Sequence, residues 1–336
     1  MARRKARIPQ GKKIQPAVKT MRFLLANYST QYIDISQCAS IVNRRFYRQG
    51  LNWAVAGITI FTTTGTGELT ISKIPDTWVA ANAWEKGFAN WDRLNDEAIE
   101  ESPSVKAKFT DYKVFMDAGH AAAGVGANLI PLDEVGNPYV TGEWIMSKQV
   151  VPKTDGTDGV NNFEIIWTGA NYPGGGASGL NSVSLIEGYA ASRGLPDIRD
   201  PNVPADAADA DGATPENWMS ATFNEGTTQD DRVISDIGFE NNEAPYPFEN
   251  GTNPAGGTFS DTMYPGGANQ APGPETHDAV LVTSTTVGGK TSIPGTNFQG
   301  GLIKINNTIN DGTIVMLLHL VPGPHRGYMC QKMQDV

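Results

Sequence analysis

The residues with the clearest chemical potential are the cations of the N-terminal segment. Eight of them precede the first acidic residue, Asp34: Arg3, Arg4, Lys5, Arg7, Lys12, Lys13, Lys19 and Arg22. Lysine and arginine side chains at this density neutralise the phosphates of a polyanion and release its counterions without reading base sequence. We therefore predict that this segment binds nucleic acid nonspecifically and that the binding weakens as salt is raised.

Three further arginines follow shortly afterwards. Arg44, Arg45 and Arg48 alternate with Phe46 and Tyr47, and a mixture of cations and aromatic rings can contact phosphates and stack on bases. We include the three arginines among the predicted nucleic-acid-binding residues. The alternatives are ordinary charge on a sheet surface, or pairing with acidic residues of a neighbouring subunit.

Charge is distributed very unevenly along the chain. Residues 1–50 contain eleven basic residues and one acidic residue, a net charge of +10, whereas the remaining 15 basic and 35 acidic residues give −20. This polarity is typical of a protein that holds a polyanion on one side and faces solvent on the other.

Residue patterns that support catalysis are absent from the sequence. It contains no HExxH, GxSxG, Walker A or dinucleotide-binding motif. The four histidines are far apart in the chain: His120, His277, His319 and His325. We therefore expect that the protein is not an enzyme and that it uses no cofactor.

One acidic segment invites a calcium interpretation. Asp206, Asp209 and Asp211 precede Gly212, and close carboxylates beside a turn glycine can gather oxygen ligands around a hard cation. The spacing differs from that of an EF-hand loop, so a solvated acidic loop is favoured, and calcium shared between subunits stays open. Cys38 and Cys330 lack zinc or redox spacing. We predict no metal site within one chain.

The elements that must position the cations are mainly strands. Gly and Pro number 37 and 21, and β-branched and aromatic residues fall in short runs between turn residues. One helix is indicated by a stripe at spacings of four, three and three, which is typical of a buried helix face: Trp84, Phe88, Trp91 and Leu94. The predicted fold class is all-β, a single jelly roll of about eight strands in two packed antiparallel sheets, with one inserted helix and long loops.

Composition also divides the chain. Residues 1–27 are predicted to form a flexible basic arm, because prolines and glycine interrupt the cations and apolar residues are few. Residues 28–336 are predicted to form the jelly-roll domain, with an exposed acidic Gly- and Pro-rich insertion at about 196–278. The sequence shows neither a secretion signal nor a run of about 18 apolar residues, so we expect no membrane span.

Four places in the chain carry a family resemblance. They are the basic arm, residues 74–78 with Trp84, Gly87, Phe88 and Trp91, residues 104–109 with 111–115, and residues 323–328. Together they resemble the capsid proteins of small circular Rep-encoding single-stranded DNA (CRESS-DNA) viruses, especially environmental lineages. The match is one of pattern, and residues 152–278 contribute nothing to it.

The resemblance implies a jelly-roll shell protein. About sixty copies, or a multiple of that number, would enclose single-stranded DNA with their arms pointing inward, so the protein would reside in the virion and pass through the host nucleus during assembly. For the arm itself, the alternative to nucleic-acid binding is a solvated tail or a nuclear-import signal in residues 2–7, and import and binding can coexist. The alternatives are the capsid protein of a small RNA virus and a carbohydrate-binding or adhesion β-sandwich module.

Overall fold

The computed structural model describes residues 16–101, 111–152, 160–171, 182–192, 218–223, 273–283 and 286–333. In these ranges the chain is mostly β, and all pairs in the two largest sheets are antiparallel. The predicted β-rich class is confirmed at this level. The prediction of a single inserted helix is wrong, because several α-helices are present.

The strands in chain order are β1 (Thr20–Leu25), β2 (Ser29–Asp34), β3 (Leu51–Thr62), β4 (Gly67–Lys73), β5 (Lys148–Pro152), β6 (Val160–Ile166), β7 (Ser182–Ser184), β8 (Glu275–Val282), β9 (Lys290–Gln299), β10 (Leu302–Asn307), β11 (Ile314–Leu320), β12 (Pro322–Gly323), β13 (Gly327–Tyr328) and β14 (Cys330–Lys332). The helices are α1 (Ile35–Asn43), α2 (Trp78–Glu101), α3 (Ala118–Ala123), α4 (Leu185–Ser192) and α5 (Trp218–Phe223).

Two large sheets dominate the described structure. The first has the order β1-β11-β3-β9, and β14 pairs with the beginning of β3 beside β11. The second has the order β2-β10-β4-β8. A smaller sheet of β5, β6 and β7 lies in the long connection between β4 and β8.

The main core contains the apolar faces of both large sheets. Strand β1 shows how the alternation works: Met21, Phe23 and Leu25 are buried, whereas Leu24 between them is 49% exposed. Side chains from the second sheet, such as Ile33 and Ile305, belong to the same core. Successive residues of a strand point to opposite faces, so this alternation places one face of each sheet in the core.

Strand β11 departs from its expected environment. Its apolar run predicted a strand buried on both faces, but full burial alternates with partial burial along Ile314–Leu320. The prediction of burial on both faces is wrong, because Val315 and Leu317 lie on the outer face of the first sheet beside partly exposed neighbours.

A second core lies on the other side of the second sheet. Tyr32 and Leu302 from that sheet join apolar residues of α2, β6 and α4 in one cluster. Trp84 of α2 is buried, and Phe88 and Trp91 pack against the cluster. The predicted burial of the helical stripe is confirmed for Trp84, and Phe88 and Trp91 are partly buried against the cluster, whereas Leu94 is partly buried and does not belong to it.

A buried carboxylate links α1 to the segment that follows α2. Asp34 caps α1 by accepting hydrogen bonds from the backbone N–H groups of Ser36 (2.9 Å) and Gln37 (3.2 Å). The side-chain amide of Gln49 donates to the same carboxylate and to the carbonyl of Val114. Burial raises the pKa of Asp34 to about 6, although these donors and the charge of Lys113 oppose the rise.

A second buried polar group lies beside the outer side of the second sheet. The backbone N–H of Met116 donates to Nδ1 of His120, so the proton of this ring lies on Nε2 and faces the Asn128 side-chain oxygen at 2.7 Å. Burial lowers the pKa of His120 to about 4. Asp117 caps α3 and forms a 2.7 Å ion pair with Lys304 of β10. The ion pair between Asp117 and Lys304 attaches this part of the inserted segment to the second sheet.

Some predicted strand positions need correction. The run of strand-forming residues at 108–116 predicts a strand, but its described part contains only an isolated bridge at Phe115. The strand predicted at 298–306 is interrupted by Gly300 and Gly301, whose positive φ angles of 63° and 70° turn the chain from β9 into β10. None of the described helices combines the length and the apolar character that crossing a membrane requires.

Candidate nucleic-acid interface

The predicted nucleic-acid-binding residues fall into two groups. Six lie outside the described residues: Arg3, Arg4, Lys5, Arg7, Lys12 and Lys13. The other five are described: Lys19, Arg22, Arg44, Arg45 and Arg48. The acidic insertion predicted at about 196–278 also lies largely outside the described residues.

The predicted arm ends earlier than expected. Residues 20–25 form β1 and pair with β11 from Thr20↔His319 to Leu25↔Ile314. The prediction of a flexible arm through residue 27 is therefore wrong for this stretch. The alternation of apolar and other residues from Met21 to Leu25 is the signal that would have predicted the strand.

The residues just before β1 are fixed at the root of the arm. Val18 N–H donates to the Asn43 side-chain oxygen at 3.0 Å, and the Tyr328 hydroxyl donates to the Val18 carbonyl at 2.6 Å. Arg45 donates from its guanidinium to the carbonyl of Pro16 at 3.3 Å. These bonds hold Pro16–Lys19 against the end of α1 and against the turn that precedes β14.

Arg44 ends α1 in a left-handed conformation, with φ of 52° and ψ of 40°. Its N–H donates to the Ile41 carbonyl and the N–H of Arg45 donates to the Ser40 carbonyl, so the last turn of the helix is closed. Glycine or asparagine is usual at such a position. Arginine instead places an exposed cation beside the helix C-terminus, where the helix dipole favours positive charge.

Arg326 also has a left-handed backbone conformation, with φ of 49°, and it lies near the loop that follows α1. Its guanidinium donates to the Phe46 carbonyl, and the Tyr47 hydroxyl donates to the Arg326 carbonyl at 3.0 Å. The loop after α1 and the turn between β12 and β13 are therefore tied together, which brings Arg326 beside Arg45.

The perturbed pKa values of the aromatic residues beneath this turn agree with that placement. Burial raises the pKa of Tyr47, and the charges of Arg45 and Arg326 oppose the rise. Burial lowers the pKa of His325, and the charges of Arg326 and Lys332 lower it further. His325 is consequently neutral at neutral pH, and the positive charge here comes from the arginines and lysines.

We call these five residues the arm-root cluster: Lys19, Arg44, Arg45, Arg326 and Lys332. Four of them, all except Arg45, are exposed. Guanidinium groups present several donors that fit phosphate oxygens, and ammonium groups add point charges. The cluster can therefore neutralise phosphates without contacting bases.

Two predicted arginines lie apart from the cluster. Arg22 projects from the outer face of the first sheet and donates to the Asp133 carbonyl at 3.2 Å. Arg48 is exposed and lies near α2. Burial and the charge of Asp96 raise the pKa of Asp92 there, and the charge of Arg48 opposes the rise. Arg48 therefore interacts with an acidic residue of its own chain.

The two cations from residues 326 and 332 were missed by the sequence-based prediction of nucleic-acid-binding residues. They reach the arm root because β14 pairs with β3 and because the hairpin of β12 and β13 packs against the loop after α1. The sequence around Arg326 and Lys332 contains no pattern from which these two contacts could be predicted.

The described residues contain no group of side chains that would bind a metal ion. Among the described residues, no three His, Cys, Asp or Glu side chains lie close enough together to hold a metal ion. The candidate calcium ligands Asp206, Asp209 and Asp211 lie outside those residues.

No protein-family model, no curated protein and no solved structure matches the chain.

Proposed function

We propose that the chain is the shell protein of a small icosahedral virus and that it packages single-stranded nucleic acid through its basic N-terminal segment. The observation that carries the proposal is the arm-root cluster, where cations from early and late parts of the described chain lie near residues 16–19, which directly follow the basic residues 1–15 in sequence. DNA is favoured over RNA because of the family resemblance.

The proposed fold is a single eight-stranded jelly roll, an architecture of two packed sheets that is common in viral capsids. The strand order supports it. Strands β1, β11, β3 and β9 form one sheet and β2, β10, β4 and β8 form the other, so the chain crosses between the sheets at every step except from β4 to β8. The remaining strands then belong to the insertion between β4 and β8 and to the segment after β11.

The proposed mechanism is electrostatic. The fixed root keeps the six cations of residues 1–15 attached to the arm-root cluster, and fifteen residues span at most about 50 Å when extended. Arm and root together can neutralise neighbouring phosphates on one strand, and every neutralised phosphate releases counterions. Binding should be nonspecific and should weaken steeply as salt is raised.

Assembly is tested by electron microscopy of the purified full chain. Closed particles of about sixty subunits or a multiple are expected. A protein that stays monomeric under all conditions of salt and pH would contradict the proposal, and glycan binding by such a monomer would favour an adhesion module. Nuclease digestion of nucleic acid extracted from the particles distinguishes DNA from RNA.

The arm is tested by deleting residues 1–15, which removes six cations and leaves β1 intact. The expected result is particles that contain less nucleic acid, because six cations are lost while both described cores keep all their residues. A variant in which the same six cations become glutamine provides a control for chain length. Unchanged cargo in both variants would contradict the role of the arm.

A further inference from the structure

The outer face of the first sheet forms a continuous surface next to the arm root. The register of the four strands places twelve residues on this face in three rows: Thr20, His319, Gly57 and Pro294; Arg22, Leu317, Thr59 and Ser292; Leu24, Val315, Phe61 and Lys290. We call these twelve residues the outer sheet face. Strands spaced about 4.8 Å apart make it about 14 Å wide.

The charge of the outer sheet face differs from that of the chain as a whole. None of its twelve residues is acidic, although the chain contains 36 Asp and Glu residues. Arg22 lies on one outer strand and Lys290 on the other. Asp133 and Glu134 of a neighbouring loop lie beside Thr20 and Arg22 at one edge of the face. The N–H groups of Asn137 and Gly136 donate to the Asp133 carboxylate, and these bonds, with the charge of Arg22, lower its pKa. The twelve residues of the face are therefore themselves suited to an anionic partner, most clearly at the Lys290 edge.

The row nearest the β3–β4 turn is apolar and accessible. Leu24 is 49% exposed and Phe61 is 37% exposed, with Val315 between them in the register. Lys290 pairs with Phe61 from the neighbouring strand. An aromatic ring presented on a sheet beside a cation is an arrangement on which an unpaired base can stack while its phosphate is neutralised.

The outer sheet face is also held in position. The two ring nitrogens of His319 each lie 3.1 Å from a threonine hydroxyl, Thr20 on one side and Thr59 on the other. This ladder joins three strands of the face. Such a surface loses little conformational freedom when it binds a partner.

The position of the outer sheet face next to the arm root indicates which ligand binds to it. Lys19 of the arm-root cluster is followed directly by Thr20, the first residue of the outer sheet face. We propose that single-stranded nucleic acid held by the arm continues onto this face, where a base stacks on Phe61 and phosphates contact Arg22 and Lys290. This inference rests on the proposed function and adds a contact that requires bases.

The test compares two ligands on the full chain. One is a short deoxythymidine oligomer, and the other is an abasic oligomer of the same length, which keeps the phosphates but has no bases. Phe61→Ala is expected to weaken binding of the deoxythymidine oligomer about tenfold and to leave binding of the abasic oligomer unchanged. The assay is fluorescence anisotropy, repeated at raised salt, where the contribution of the arm falls and the contribution of stacking persists.

The control is Trp78→Ala, which removes an aromatic side chain of similar exposure, 39%, at the start of α2. It should leave the affinity for both oligomers unchanged. Equal binding of the deoxythymidine oligomer by Phe61→Ala and wild type would overturn the inference, and so would an equal loss for both oligomers, which would indicate a contact between copies or a folding defect. If the wild type bound neither oligomer, the proposed function itself would fail.

Discussion

Replacing the buried Asp34 with asparagine should change how stability depends on pH. The asparagine oxygen can still accept the N–H groups of Ser36 and Gln37, so the cap of α1 is kept. What the substitution removes is a carboxylate whose negative charge lies in the interior.

The expected magnitude follows from the pKa of this carboxyl. Folding raises the pKa of Asp34 from 3.8 to about 6, and each unit corresponds to about 1.4 kcal/mol. The protonated Asp34 carboxyl therefore contributes its full stabilisation below pH 3.8. As the pH rises to about 6, the free energy of unfolding falls by about 3 kcal/mol. In Asp34→Asn this fall in the free energy of unfolding does not occur, because asparagine does not ionise.

His120 has the opposite pH dependence over nearly the same range. Folding lowers its pKa from 6.5 to about 4, so the stability that depends on the neutral ring is gained as the pH rises between these values. In the wild type the two groups nearly cancel each other. In Asp34→Asn only the His120 contribution of this pair remains, and it raises the free energy of unfolding by about 3 kcal/mol between about pH 4 and about pH 7.

The assay is urea denaturation of wild type and Asp34→Asn at a series of pH values. The quantity compared is the difference between their free energies of unfolding, because titrating groups that do not interact with Asp34 contribute equally to both proteins. The comparison is made between about pH 4 and about pH 6, because Lys113 and Cys38, whose pKa values the Asp34 charge also raises, titrate at higher pH. This difference should grow in favour of the variant as the pH rises over this range. A difference that stayed constant would refute the assignment of a raised pKa to Asp34.

Two further substitutions test the arm root. Arg44→Gly relieves the strain of the left-handed backbone, so the free energy of unfolding should stay the same or rise by up to about 1 kcal/mol. The variant also lacks a cation, so the slope of log affinity for single-stranded DNA against log salt concentration should fall in magnitude by about 0.7. Arg44→Lys should keep the slope, and an unchanged slope in Arg44→Gly would exclude a phosphate contact. Tyr328→Phe leaves the Val18 carbonyl without its donor and one N–H of the Asn43 amide without its acceptor, while the other N–H keeps its bond to the Ala39 carbonyl. Urea denaturation should therefore show a loss of about 2 kcal/mol in the free energy of unfolding. Wild-type stability would contradict the described anchoring.

Local periodicity predicted the elements that carry their own signal. The stripe from Trp84 to Trp91 predicted α2 and its buried face, and the apolar run at 313–321 predicted β11. Helix α1 was missed because its capping residue, Asp34, is also the last residue of β2 and because its nine residues contain few strong helix formers. Strand β1 was missed because the surrounding cations outweighed its alternating pattern.

The candidate site was predictable only where its residues are neighbours in sequence. The arginines after α1 were found because they are grouped, whereas Arg326 and Lys332 arrive through pairings with residues about 280 positions away. The outer sheet face could not be predicted either, because its rows depend on the register of four strands. Spacing along the chain carries no information about that register.

The pairing of β1 with β11 has a consequence for the order of events during synthesis. Residues 16–25 leave the ribosome early, but their partners lie in residues 314–328, which are made some 300 residues later. Until then neither the arm root nor the outer sheet face exists, and the early cations are attached to an incomplete protein. The delay favours engagement of nucleic acid by finished subunits over engagement by nascent chains.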